Sequence, residues 1–280
     1  MPRPITVAAV APPALVPGFS WMRFRRALLL AVAAFPVSAS GQTAPAQQPA
    51  RRTILAIGAH AGDMELTAGP LLARQRRLGD SVVFLHLTLG ERGNRRMTPQ
   101  AYGEQKRREA VEAAAVLGAG VLFGPWADGE VPNDEQGRRW VADIIRTVKP
   151  SYVVTHWRNS IHKDHSATHA LVKDAVLLAS LEGIGTIPPH RGIRGVYYAE
   201  NWEDAEGFTP YLFVDVSDDR DSWRAVVTKY EFVRGGISSF TYLDYYDALA
   251  VMRGAPVGRA RAVAFDIDDF GKRRVLDSLP

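Results

Sequence analysis

Ile54-Leu55-Ala56-Ile57-Gly58-Ala59-His60-Ala61-Gly62-Asp63-Met64-Glu65 is the stretch on which the reading of this chain turns. An apolar run stops at Gly58, a histidine follows, and an aspartate comes three residues later. An apolar run of this length bounded by glycine predicts a strand buried on both faces. Open α/β sheets place their ligands outside the carboxyl ends of the strands, so His60 and Asp63 fall where a site is expected. Imidazole and carboxylate are also two of the donors that zinc takes.

The same pattern continues outward. Residues 66–78 carry apolar positions at helical spacing and stop at Gly79, and residues 81–89 form a second apolar run ending in Gly90-Glu91-Arg92-Gly93-Asn94. A helix is predicted over 98–117, closed by Gly118, and a short strand over 121–123 leads into Gly124-Pro125-Trp126-Ala127-Asp128-Gly129. A helix over 134–148, a strand over 151–156 and a helix from about 164 to 181 complete four strand–helix repeats. That alternation predicts an α/β fold, a Rossmann-like, mostly parallel sheet with helices on both faces. Beyond it, strands are expected at 196–199, 211–215 and 261–265 and a helix at 218–234, with Tyr242, Tyr245 and Tyr246 clustered nearby.

Composition removes several classes of function. The chain has 280 residues and no cysteine, so disulfides and thiol nucleophiles are excluded and any metal must use His, Asp or Glu. The net charge of +4 comes entirely from Arg3, Arg23, Arg25 and Arg26; without them basic and acidic residues are equal at 30 each. A nucleic-acid footprint is therefore not supported. No Gly-x-Gly-x-x-Gly follows the first strand, which argues against a dinucleotide site.

A second polar cluster, His162-Lys163-Asp164-His165, follows the fourth strand. In a parallel sheet it shares an edge with His60. His60, Asp63 and His165 then make a three-ligand zinc site with a position left open for water. His162 remains as proton donor or polariser, with Asp164 behind it. His86 and His190 are assigned to core and surface, His169 to a helix surface, and His156 to a supporting position.

These residues resemble the PIG-L or LmbE-like zinc N-deacetylases, which remove acetyl groups from amino-sugar conjugates. The family's first motif, Ala-His-Pro-Asp-Asp-Glu, is similar to Ala59-His60-Ala61-Gly62-Asp63-Met64, continued by Glu65, and its second, His-Pro-Asp-His, to His162-Lys163-Asp164-His165. Gly90-Glu91-Arg92-Gly93, Asp128-Gly129, and Lys106-x-x-Glu109 in place of an Arg-x-x-Glu helix extend the resemblance over roughly residues 53–265. Lys229 and Ser238 lie at family-like spacing, whereas Gly236 and Ser239 stand where the family has other residues. The resemblance implies an LmbE-like fold, a Zn2+ cofactor and an N-acetyl amino-sugar substrate. It implies His60, Asp63 and His165 as ligands, and His162 with Asp164 stabilising the oxyanion or protonating the leaving amine. Arg92, Lys106 and Asp128 are expected at the edge of the substrate pocket.

Gly62 departs from that pattern, because the family's general base is an aspartate at this position. Glycine transfers no proton, and losing a general base typically costs about 10²–10⁴-fold in rate. Three readings follow. Glu65 or a carboxylate on the C-terminal loops takes over; His162 or His156 takes both proton roles; or the domain is a zinc-containing carbohydrate-binding module without hydrolase activity.

Residues 1–40 read as a leader. Met22-Arg-Phe-Arg-Arg26, an apolar run over 27–37 and Ser38-Ala39-Ser40 have the three parts of a secretory signal peptide, with Met22 as the expected start. Arg25-Arg26 is compatible with a twin-arginine route. Residues 41–52 read as a linker and 53–280 as the deacetylase-like domain, which would be exported to the periplasm or beyond. Mass spectrometry of the exported protein is expected to find an N-terminus near residue 40; an intact Met22 would contradict cleavage.

Overall fold

The computed structural model describes residues 51–204 and 206–273. The leader over 1–40 and nearly all of the linker over 41–52 lie outside the described residues. The first strand, β1 (Thr53–Gly58), buries both faces. Ile54 and Ala56 face one core layer, while Leu55 and Ile57 face the other. This two-sided burial is why the run is continuously apolar rather than alternating.

Around it are α1 (Asp63–Thr67), α2 (Gly69–Arg77), β2 (Ser81–His86), α3 (Pro99–Leu117), β3 (Gly120–Phe123), α4 (Glu135–Val148), β4 (Tyr152–His156) and α5 (Lys163–Ser180). β5 (Gly195–Ala199), β6 (Leu212–Asp215), α6 (Arg220–Val227), α7 (Tyr242–Gly254) and β7 (Ala262–Asp266) follow. The seven strands lie in the order β3-β2-β1-β4-β5-β7-β6. β1 to β5 pair in parallel, whereas β7 runs antiparallel between β5 and β6. The core layers place α1, α2 and α3 on one face and α4 and α5 on the other. This is the mostly parallel α/β sheet expected from the strand–helix alternation.

Local chemistry sets the helix ends. Thr98 accepts from the Ala101 N–H ahead of Pro99, and Asp134 accepts from the Gly137 N–H, which are N-caps. Gly118 closes α3 at φ +68°.

Four details differ from the sequence expectation. The helix at 66–78 is two helices interrupted at Ala68, the shorter beginning at Asp63. The second strand ends at His86 rather than Leu89. The helix at 218–234 stops at Val227, and Tyr242–Gly254 forms a helix that its aromatic crowding concealed. Among the described residues no helix is long and apolar enough to cross a membrane.

The chain leaves β1 toward β2 on one side, and β4 lies on the other. This reversal of strand order opens a crevice between the loops that follow β1 and β4. His60 stands just past β1, and the segment with His162 and His165 follows β4.

Candidate active site

Past β1 the backbone turns so tightly that Asp63 N–H reaches the His60 carbonyl, and Asp63 Oδ2 accepts the His60 N–H at 2.7 Å. The turn passes through Gly62 at φ +105°, a conformation that side-chain-bearing residues rarely adopt. Past β4, His162 caps α5: its Nδ1 accepts the Asp164 N–H at 3.2 Å. One turn into α5, His165 is buried and its ring stacks on His156 at 4.0 Å.

His60, Asp63 and His165 are brought together. His60 Nδ1 lies 3.2 Å from His165 Nε2 and 3.2 Å from Asp63 Oδ2, and His165 Nε2 lies 3.4 Å from the same oxygen. Donors bound tetrahedrally to zinc at about 2.0–2.1 Å stand roughly 3.3–3.4 Å apart, so the triangle has the dimensions of one face of a zinc site. The far nitrogen of each ring meets a carboxylate. His165 Nδ1 is 3.0 Å from Glu203 Oε2, and His60 Nε2 is 3.2 Å from Asp128 Oδ1 and 3.5 Å from Asp164 Oδ2. Carboxylates in these places fix the tautomer and ring direction of metal-binding histidines.

His156 also approaches, with Nε2 at 3.1 Å from Asp63 Oδ2, and Asp63, His156 and His165 form an alternative donor group. That nitrogen accepts the Ala59 N–H at 3.0 Å, which uses its lone pair. Burial, then the charge of His165, pulls the His156 pKa down to about 4 and keeps the ring neutral. His156 therefore supports the turn, and His60 completes the donor triangle.

The electrostatics suit a cation. Burial disfavours charge on His165, but Asp63 and Glu203 outweigh it and raise the pKa to about 9. Burial likewise opposes charge on His60, and Asp63, Asp128 and Asp164 raise its pKa well above the ordinary histidine value. Burial also opposes ionisation of Asp63, but the His165 and His60 charges hold its pKa well below the usual carboxylate range. His162 lies half-buried on the cleft wall, and burial followed by the His60 and His165 charges lowers its pKa.

Other expected site residues fall differently. The Asp164 carboxylate turns to His60 and to the Gly129 N–H at 2.7 Å, so it braces His60 rather than the His162 ring. Glu65 does not line the cleft. It is fully buried, accepting the Tyr230 hydroxyl at 2.6 Å with His86 Nε2 3.3 Å away, because α1 aims it into the interior. Arg92 is outside the lining too: its Nη2 donates to Glu130 at 2.7 Å and its backbone N–H to Asp128 at 3.0 Å, so it braces the loop after β3. Asp128 lines the cleft but is spent on His60 and Arg92. Lys106 is in the cleft, donating to the Ala61 carbonyl.

Sequence reading missed Glu203, Asn201, Trp202 and Phe232, which line the same cleft. The first three follow β5, the strand next to β4, and Asn201 accepts the Tyr246 hydroxyl at 2.8 Å. Their one sequence signal was position past the fifth strand.

The chain is similar to several known proteins. A 4-oxalmesaconate hydratase of Pseudomonas putida is 26% identical over 75% of this chain and 82% of that one. A 1D-myo-inositol 2-acetamido-2-deoxy-alpha-D-glucopyranoside deacetylase of Geodermatophilus obscurus is 31% identical over 46% of this chain and 53% of that one. The solved structure of a conserved protein of Thermus thermophilus superposes with a TM-score of 0.66 at 27% identity, covering 78% and 94% of the two chains.

A metal ion must displace a proton from the donor set wherever His165 is protonated. Its raised pKa makes zinc compete with that proton at every pH below about 9, so apparent zinc affinity is expected to rise with pH up to that value. Glu203→Gln is expected to weaken binding roughly 10–100-fold. Zinc titration with a competing chelator at several pH values checks both, and affinity indifferent to pH and to Glu203 would contradict the donor assignment. Residues 55–176 match the sequence model of the family described as PIG-L, GlcNAc-PI de-N-acetylase.

Proposed function

We propose that this chain is an exported, zinc-dependent hydrolase of the PIG-L deacetylase type that removes an N-acetyl group from an amino-sugar-like substrate. The observation that carries the reading is the triangle of His60 Nδ1, Asp63 Oδ2 and His165 Nε2, with a carboxylate behind each ring. Zinc held there supplies Lewis acidity toward the reacting oxygen atoms. The chain's own groups do the remaining work.

His162 Nδ1 is occupied by the Asp164 N–H, so the neutral ring carries its proton on Nε2. From the cleft wall that N–H donates to the acyl oxygen and stabilises the charge that develops on it. Neutral imidazole suits this role, and its lowered pKa keeps it neutral. Of the two roles open to His162, the tautomer favours oxyanion stabilisation over protonation of the leaving amine.

The walls bear on the substrate. Tyr102, Trp202, Phe232, Tyr242 and Tyr246 line the cleft, and Lys106 is the one lysine or arginine among its described lining residues. A polycarboxylate substrate calls for more cationic partners. Aromatic faces with a few placed polar groups suit a neutral ring bearing an acetamido group. Among the activities carried by the relatives, this inventory favours deacetylation over hydration of an unsaturated acid.

Gly62 favours one other reading, a zinc-containing carbohydrate-binding module without hydrolysis. Acetate release from N-acetylated amino sugars by zinc-loaded protein separates the two. Turnover is expected, and His162→Ala is expected to lower kcat by about 10²–10³-fold. Glycan binding without turnover, unaffected by His162→Ala, would replace the hydrolase reading; water addition to unsaturated acids without acetate release would replace it with a hydratase.

A further inference from the structure

A side chain at position 62 would run into Phe232. A Cβ there would fall 2.8 Å from Phe232 Cζ and 3.0 Å from its Cε1, on a backbone already at φ +105°. Lys106 Nζ lies 3.6 Å from the same point. Lys106 is 4% exposed, so α3 has delivered a buried amine to the spot from which a carboxylate would otherwise work.

We propose that Lys106 Nζ is the proton-transfer group of this site, taking a proton from the attacking water and returning it to the leaving nitrogen. The inference rests on the hydrolase reading above. Lys106 donates one N–H to the Ala61 carbonyl, immediately after His60, and its Nζ stands 4.1 Å from the Phe232 ring centroid and 4.7 Å from that of Tyr230. With one N–H anchored on Ala61, the neutral amine has a lone pair for the cleft. The aromatic faces hold the ammonium once it forms.

The surroundings poise the group between its two states. Burial lowers the Lys106 pKa to about 8, against the pull of Asp63, Glu109, Glu65 and Asp128. Glu109 lies on its own helix, Asp63 and Glu65 on α1, and Asp128 after β3, while the segment after α6 presents the rings of Tyr230 and Phe232, with Glu231 between them bonded to Gln105 and Glu109. A base with a pKa near the working pH is the most effective one. The lysine also stands where the family pattern has arginine, and a guanidinium does not titrate in this range. The chain thus lacks a carboxylate at 62 and carries, beside that gap, a side chain able to do its work.

The step balances with one shuttle. A water O–H bond breaks, an N–H bond forms on Lys106, and the water oxygen adds to the acyl carbon while His162 Nε2–H donates to the acyl oxygen. The Lys106 ammonium then gives its proton to the amide nitrogen, the C–N bond breaks, and the carboxylic acid and free amine leave. Lysine returns neutral, and His162 never changes its proton count.

Lys106→Arg keeps the charge and removes the base. On N-acetylglucosamine, its kcat is expected to fall about 10²–10⁴-fold with KM little changed, and the rise of wild-type kcat near pH 8 is expected to vanish. The chain has no cysteine, so Lys106→Cys alkylated with 2-bromoethylamine restores a single, less basic amine. It is expected to regain activity with the rise moved to lower pH. An Arg variant that keeps both rate and pH profile overturns the proposal while leaving the hydrolase reading intact. Wild-type protein that turns over no N-acyl substrate sinks that reading instead. Carbon-13 NMR of labelled lysines in the wild type decides independently of turnover. Lys106 is expected to titrate near 8, and a Lys106 titrating at the ordinary 10.5 overturns the proposal.

Discussion

The hydrogen bond from the His60 backbone to the Asp63 carboxylate, at 2.7 Å, closes the turn from which the rest of the site is built. It holds a carboxylate and an imidazole, three residues apart, against the end of a fully buried strand. With Asp63 fixed, His165 can reach the same oxygen from α5, and His156 at the end of β4 supports the turn by accepting the Ala59 N–H. A two-sided core beneath β1 makes the platform rigid. Donors must hold their places to well under an ångström for a metal site, and regular elements supply that better than free loops.

The cleft is layered around this turn. Asp128 and Asp164 converge on His60 from the loop after β3 and from α5, and Glu203 meets His165 from the loop after β5. Each imidazole thus has the shared Asp63 carboxylate on one nitrogen and private carboxylates on the other, two for His60 and one for His165. The arrangement gathers several carboxylates around two buried rings, a density of charge that a bound cation relieves. Phe232 and Lys106 close the side of the cleft beside Gly62, which gives this site a hydrophobic and amine-bearing wall where a carboxylate would be expected.

Much of this was legible in the sequence. The apolar run before His60 and the four strand–helix repeats predicted the parallel sheet, because burial on both faces leaves a continuous hydrophobic signal. That His60, Asp63 and His165 would meet was legible because parallel strands put their carboxyl ends on one edge. What the sequence concealed was direction and long-range pairing. Glu65 follows the motif directly, yet the first turn of α1 points it toward Tyr230 and His86. Asp164 adjoins His162 but serves His60, since the backbone rather than the carboxylate meets the His162 ring. Glu203 belongs to a segment with no periodic pattern and Phe232 to one that reads as the end of a helix, and only folding brings them to the cleft. The aromatic residues that obscured α7 are the ones its packing against the cleft requires.

Anomalous diffraction at the zinc edge, from crystals of the protein grown with zinc, tests the central claim most directly. The account predicts one zinc per chain bound by His60 Nδ1, Asp63 Oδ2 and His165 Nε2, with His156 still accepting the Ala59 N–H. Zinc held by His156 in place of His60, or no zinc in the cleft at all, would contradict it.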